Sequence, residues 1–134
     1  MNAQELRVAL EVSDFARSVA FYENQLGMRR ITAWDGAEGP GMILQAGPRC
    51  TVELFGPPPG GVHAAPLTSA VKMAIGVADV TAWHAHLQAA GVSIARGLVD
   101  NPWGDRSFGV DDPDGVRIWF FEVIDPAYGR LFES

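Results

Sequence analysis

The stretch Val12-Ser13-Asp14, followed by a helical pattern that ends at Leu26-Gly27, decides the fold of this chain because it occurs twice. The second copy runs from Val77-Ala78-Asp79 to Ala90-Gly91. A strand-like run precedes each Val-x-Asp, and several more follow each glycine. Internal repeats indicate repeated structural units, and only two copies favour a pseudo-symmetric pair over a solenoid.

Each copy predicts the order βαβββ. Asp14 and Asp79 stand at helix N-cap positions, where a carboxylate accepts a hydrogen bond from a free N–H of the first turn. Gly27 and Gly91 stand where each helix should end. The predicted strands are Leu6–Val12, Met28–Trp34, Met42–Gln45, Thr51–Phe55, Val71–Val77, Val92–Leu98, Arg106–Val110 and Val116–Val123.

We predict a single domain over residues 1–134, built from two modules. The boundaries are residues 5–56 for module one, 57–70 for a Gly- and Pro-rich linker, 71–123 for module two and 124–134 for a tail with no predicted helix or strand. His63 lies in the linker and is interpreted as a polar surface residue.

Composition excludes several classes of protein. The chain has 134 residues, 48% of them apolar, so it has enough apolar sequence for a core and is not typical of disorder. Its net charge of −6 disfavours a nucleic-acid partner. We see no membrane-spanning run and no signal-peptide pattern, and the single Cys50 forms no internal disulfide. We therefore expect a cytoplasmic protein without a membrane or nucleic-acid partner.

Four segments carry a resemblance to a known family. They are Val12-Ser13-Asp14 through Phe21-Tyr22 to Leu26-Gly27, then Val52-Glu53-Leu54, Trp103-Gly104-Asp105-Arg106 and Asp112-Pro113-Asp114-Gly115. The chain resembles the vicinal oxygen chelate superfamily, which includes glyoxalase I, extradiol dioxygenases, fosfomycin-resistance enzymes and bleomycin-binding proteins. The resemblance implies an α+β fold in which two βαβββ modules form a curled eight-stranded mixed sheet around a cavity. It also implies a homodimer.

The resemblance implies four metal-ligand positions, and here they fall on Arg7, Glu53, Lys72 and Trp119. A divalent metal needs lone pairs, which arginine, protonated lysine and indole do not offer. Only Glu53 is a ligand type. We therefore predict no metal and no other cofactor.

The resemblance further implies that the sheet face away from the helices lines the cavity. Strand alternation assigns side chains to that face, because successive residues point to opposite faces. The resemblance also implies that Trp103 and Phe108 lie near the cavity mouth. The predicted ligand-binding residues are Arg7, Ala9, Glu11, Glu53, Phe55, Lys72, Ala74, Trp103, Phe108, Trp119 and Phe121.

A carboxylate and two cations share this predicted lining. We predict that Glu53 is ion-paired to Arg7 or Lys72, because an unpaired carboxylate between apolar walls is costly. The cations would alternatively bind an anionic or carbonyl oxygen of a ligand. The two interpretations are compatible if the pair opens on binding.

The leading hypothesis is a metal-free protein of the bleomycin-resistance type that sequesters a planar, partly aromatic small molecule. Trp119 and Phe121 would stack on the ligand, while small residues such as Ala9 and Ala74 would let it approach the sheet. This is an antibiotic-resistance function without covalent chemistry.

The alternative is an enzyme. A metal-free isomerase, lyase or hydrolase would use Glu53 as the catalytic base, with Arg7 or Lys72 stabilising an oxyanion. A glyoxalase- or dioxygenase-like metal enzyme would need ligands displaced from the four positions, with Glu11 and Glu53 as its carboxylates.

Overall fold

A computed structural model of the chain describes residues 1–61 and 71–133. The predicted position of His63, and most of the predicted linker, lie outside these residues. The chain divides into two compact units, Met1–Leu67 with Pro113–Gly115 and Thr68–Asp112 with Val116–Ser134.

Unit one contains one helical segment and four strands. Its elements are β1 (Leu6–Glu11), α1 (Phe15–Val19), a π-helical continuation (Ala20–Gln25), β2 (Arg29–Gly36), β3 (Gly39–Gly47) and β4 (Cys50–Phe55). The Asp14 carboxylate accepts a hydrogen bond from the Arg17 N–H, as the N-cap prediction required. The π-helical turn is visible in the Leu26 N–H, which donates to the Phe21 carbonyl five residues earlier.

Unit two repeats this plan and extends it. Its elements are β5 (Lys72–Gly76), α2 (Val80–Ala89), β6 (Ile94–Asp100), β7 (Asp105–Asp111), β8 (Arg117–Val123), α3 (Pro126–Gly129) and a 3₁₀ turn (Arg130–Phe132). The Asp79 carboxylate accepts from the Ala82 N–H and begins α2. The prediction of a tail without structure was wrong, because Asp125 caps α3 and Pro126 opens it.

The βαβββ order of both units is confirmed, and the fold is α+β with mixed sheets. The first sheet has the order β1-β4-β3-β2, and the second sheet has the equivalent order β5-β8-β7-β6. In each sheet the first and last strands of the unit run parallel, and the remaining pairs run antiparallel. The described residues therefore form two four-stranded sheets, where we predicted one eight-stranded sheet.

The core of each unit lies on the helix side of its sheet. Leu10, Leu44 and Leu54 are buried in unit one. In unit two, Ile118 and Phe120 are buried while Trp119 and Phe121 between and beyond them are only half-buried. This alternation is the one that the sequence predicted for β8. No helix in the described part of the chain is long and apolar enough to cross a membrane.

Candidate functional site

A pocket of about 780 Å³ lies on the second sheet. Every residue of its lining belongs to unit two. The lining consists of Ala74, Arg96, Gly97, Val99, Asn101, Trp103, Asp105, Ser107, Trp119, Phe121 and Tyr128.

Strand register brings the lining residues to one face of the sheet. Ser107 pairs with Phe121 across β7 and β8, and Val99 of β6 pairs with Ser107. Residues directly opposite each other point to the same face. The pocket therefore lies on the face opposite the one that packs against α2.

Two aromatic rings lean over glycines of neighbouring strands. A Cβ at Gly109 would lie 2.9 Å from Cζ3 of Trp119, and a Cβ at Gly76 would lie 3.0 Å from Cζ of Phe121. The missing side chains let both rings lie close to the sheet, where they form the pocket floor and wall.

Arg117 covers part of the Trp119 ring. Its Cζ lies 5.2 Å from the ring centroid, within cation–π range. The Nε of Arg117 donates to the Asp111 carboxylate over 2.5 Å, and this hydrogen bond raises the pKa of the guanidinium. The ion pair thus holds a cation beside the indole.

The C-terminal helix closes one end of the pocket. Tyr128 reaches the lining from α3, and Trp103, which is 57% exposed, lines the same pocket from the loop before β7. The backbone N–H groups of Ile124 and Asp125 both donate to the Gly104 carbonyl over 3.0 Å. Gly104 has a φ of +120°, and a Cβ there would lie 2.7 Å from that of Tyr128. Glycine at 104 therefore permits the tail to dock.

Three polar side chains of the lining, from the segment 101–107 that contains Gly104, are joined by hydrogen bonds. The Asn101 carboxamide Nδ2 donates to Asp105 Oδ1 over 2.7 Å and to Ser107 Oγ over 2.9 Å. The Asn101 backbone N–H also donates to the Asp105 carbonyl. Asp105 and Ser107 are buried polar residues in an otherwise mostly apolar surface.

Four predicted site residues meet in this pocket: Ala74, Trp103, Trp119 and Phe121. Lys72 is exposed at the start of β5 and lies outside the lining. The expectation that Phe108 lies near a cavity mouth was wrong. Phe108 is 0% exposed, and its ring stacks on Phe120 with 5.2 Å between centroids, on the helix side of the sheet.

The five other predicted residues belong to the first sheet. Ala9 and Glu11 are exposed on β1, and Phe55 of β4 has its ring centroid 5.9 Å from that of Trp34. The predicted ion pair is confirmed between Arg7 and Glu53, whose Nη1 and Oε1 lie 3.0 Å apart.

Sequence analysis did not predict that Arg7 also forms an ion pair with a second carboxylate, that of Glu5. Its Nε donates to Glu5 over 2.9 Å, and Glu5 also accepts from the Thr51 hydroxyl. The hydrogen bond from Arg7 is the main reason that the pKa of Glu5 lies below its ordinary value. The Arg7 and Glu53 side chains are 44% and 19% exposed, so the pair is partly solvated rather than fully buried.

The other lining residues that sequence reasoning missed are Arg96, Gly97, Val99, Asn101, Asp105, Ser107 and Tyr128. Alternation along the predicted strand Arg106–Val110 already places Ser107 on a face opposite Phe108. That signal was available, and it would have assigned Phe108 to the core. No sequence pattern indicated Tyr128 in this way, because its position depends on the docking of the C-terminal tail at Gly104.

The model of the Glyoxalase/Bleomycin resistance protein/Dioxygenase superfamily matches residues 6–120. The chain belongs to this superfamily. No curated protein sequence matches it.

Solved structures that have the same fold include SMU.1112c and two proteins from Streptomyces sp. CB03234. SMU.1112c has a TM-score of 0.78 and 25% identity, over 91% of this chain and 99% of its own. A glyoxalase/bleomycin resistance protein from Streptomyces sp. CB03234 has a TM-score of 0.69 and 25% identity, over 87% and 98%. TnmS3, an antibiotic binding protein from the same organism, has a TM-score of 0.71 and 24% identity, over 91% and 97%.

The metal that enzymes of the superfamily hold does not fit the residues present here. Arg7 and Trp119 occupy two of the four positions that the resemblance indicates. Arg7 donates to Glu5 and Glu53, and the indole of Trp119 lies on Gly109. Neither side chain has a lone pair for a metal. Within residues 1–61 and 71–133, no group of three or more His, Cys, Asp or Glu side chains is placed to hold a metal ion.

Proposed function

We propose that this protein binds a planar, partly aromatic small molecule in the pocket of the second sheet and releases it unchanged. One observation carries the proposal. Four aromatic side chains, Trp103, Trp119, Phe121 and Tyr128, frame one pocket, whose lining also includes the small residues Ala74 and Gly97 that leave room for a flat ring.

The size and chemistry of the pocket suit such a ligand. Small-molecule sites commonly measure about 300–1,000 Å³, are mostly apolar and carry few polar groups. Aromatic side chains add roughly 0.5–1.5 kcal/mol per ring contact beyond the area that they bury. A flat ligand would contact two or three of these rings at once.

A relative with the same fold supports a sequestering function. TnmS3 is described as an antibiotic binding protein. Binding of a toxic planar compound without reaction would confer resistance by lowering its free concentration. The proposal for this chain is of that type.

The binding is proposed to be metal-free and without catalysis. Superfamily enzymes need lone pairs at the positions of Arg7 and Trp119 to bind a metal. Here Arg7 offers only hydrogen-bond donors, and Trp119 offers an indole ring. The carboxylate that would serve as a base, Glu53, accepts a hydrogen bond from Arg7 on the first sheet.

The decisive experiment is incubation with a panel of planar compounds, such as anthraquinones and phenazines, followed by calorimetry and mass spectrometry. We expect stoichiometric binding of at least one member and recovery of an unaltered compound. A compound that the wild-type protein alters, but Glu53→Gln does not, would refute the proposal and establish the enzyme alternative.

The proposal includes a cytoplasmic homodimer, as the resemblance implies. Leu131 and Phe132 are strongly exposed on the 3₁₀ turn of the tail, and adjacent exposed apolar side chains favour association. Light scattering over a concentration series measures the assembly. A monomer at all concentrations would contradict this part of the proposal and leave ligand binding by unit two unaffected.

A further inference from the structure

Asp105 gives the pocket a charged acceptor. It is only 8% exposed, it is the first residue of β7, and its register partner is Val123. It lines the pocket together with Ser107, two residues further along the same face. A carboxylate this buried needs hydrogen bonds or a cation, because desolvation of a charge is costly.

The chain donates one side-chain hydrogen bond to this carboxylate. Asp105 Oδ1 accepts from Asn101, and the same Asn101 Nδ2 donates to Ser107 Oγ, so the two protons of that amide are both used. The neighbouring cation, Arg106, donates to Asp100 over 2.5 and 3.1 Å instead. Among the described residues, no ion pair to Asp105 exists.

The other charged residue of the lining, Arg96, has its backbone far from that of Asp105. Arg96 pairs in register with Gly109, four residues along β7 from Asp105. Four residues of a strand span about 13 Å. Arg96 is also exposed, so solvent screens it, and the end of the pocket beside Asp105 is locally anionic.

We infer that the ligand carries a protonated amine on the edge of its aromatic system and directs it to Asp105 and Ser107. This inference rests on the proposed function and names its ligand class. The amine would pair with the carboxylate that the chain leaves without a cation, while the rings stack on Trp119 and Phe121. Charge-assisted hydrogen bonds are the strong ones, and in a partly buried site they would select amines over neutral or acidic aromatics.

The test compares two flat probes of similar size: 9-aminoacridine, a cation, and anthracene-9-carboxylate, an anion. Calorimetry with the wild-type protein should show tighter binding of 9-aminoacridine by about tenfold or more. Asp105→Asn is nearly isosteric. Its amide oxygen accepts from Asn101 and turns an NH₂ group toward the pocket, so the preference for the amine should be lost or reversed.

Asp100→Asn is the matched control, because it removes the same charge from an exposed carboxylate in unit two that lies outside the pocket lining. It should change the affinity for either probe by less than about twofold. Ser107→Ala removes one acceptor and should weaken amine binding by about 2- to 10-fold, which keeps the inference testable if Asp105→Asn does not fold.

The outcomes separate the inference from the proposed function. Equal binding of both probes by the wild type and by Asp105→Asn, with both weakened by Trp119→Ala, would overturn the amine assignment and leave the aromatic pocket in place. Binding that is insensitive to Trp119→Ala, or absent for both probes, would overturn the proposed function and the inference together.

Discussion

Truncation of the aromatic wall tests the pocket most directly, and Trp119→Ala is the change of choice. The indole lies on Gly109, with the Arg117 guanidinium 5.2 Å from its centroid. A planar ligand that replaces solvent on this ring gains one stacking contact. Such contacts are worth about 1–3 kcal/mol by alanine substitution, as measured for bases on aromatic side chains. We therefore expect the dissociation constant to rise by about 5- to 150-fold.

The fold should survive this change. Trp119 is half-buried on the pocket face, while its neighbours Ile118 and Phe120 fill the core on the other face. The main intramolecular loss is the cation–π contact with Arg117, which is worth about 0.5–1 kcal/mol at exposed sites. Thermal unfolding should thus shift by only a few degrees.

Gly109→Ala provides the converse perturbation. Its Cβ would lie 2.9 Å from the Trp119 ring, closer than real Cβ contacts, so the ring must shift. Binding should weaken, but less than in Trp119→Ala, because the ring is displaced and not removed.

Trp34→Ala is the matched tryptophan control. Trp34 lies on the first sheet, where its ring covers Gly41 in the same manner. Titration calorimetry and quenching of tryptophan fluorescence give two independent measurements of the dissociation constant for each variant. A dissociation constant that stays within twofold in Trp119→Ala, or that rises equally in Trp34→Ala, would refute the assignment of the pocket.

Three further predictions concern the core, the ion pair and the metal. Phe108→Ala should destabilise the protein by about 3–5 kcal/mol in urea unfolding, whereas the exposed Trp103→Ala should have little effect on stability; equal effects would contradict the placement of Phe108 in the core. Arg7→Ala should raise the pKa of Glu5 toward its ordinary value in an NMR titration, so that less stability is lost on acidification through this group, and an unchanged pKa would contradict the role of Arg7. Elemental analysis of the purified protein should find far less than one zinc, nickel, manganese or iron per chain, and a full equivalent that Glu53→Ala removes would show that the metal prediction is wrong.

Local patterns were sufficient to predict the βαβββ order of each unit, although not the helical turns of the tail. Asp14 and Asp79 cap their helices because an N-cap depends only on a carboxylate three residues from a free N–H. The alternation of Ile118 and Phe120 with Trp119 and Phe121 follows from the period of two in any strand. These features need no knowledge of the rest of the chain.

The membership of the pocket could not be predicted in the same way. Alternation assigns a face to each side chain, but it does not say which strands lie side by side. The pairing of β7 with β8 joins Ser107 to Phe121, and it places Phe108 on Phe120 in the core. The prediction used the family resemblance for Phe108 and did not apply alternation to this strand, so it put the residue on the wrong face.

The position of Tyr128 depends on tertiary contacts that leave almost no trace in sequence. The tail is too short and irregular for a periodic pattern, and α3 is a single turn. Its docking requires two N–H donors at one carbonyl and a glycine at 104 with a positive φ. Only the structure brings these together.

Trp119 connects the fold, the missing metal ligand and the proposed function. The resemblance places a metal ligand at this position, and an indole supplies no lone pair, so it removes a metal-binding donor. The same indole is too large to lie flat on an ordinary strand, and it does so here because Gly109 beside it has no Cβ. Trp119 and Gly109 together thus form a flat apolar surface on the second sheet, at the position where the resemblance places a metal ligand. Asp105 and Ser107 then add acceptors at one end of that surface, which is the arrangement that a flat aromatic amine would need.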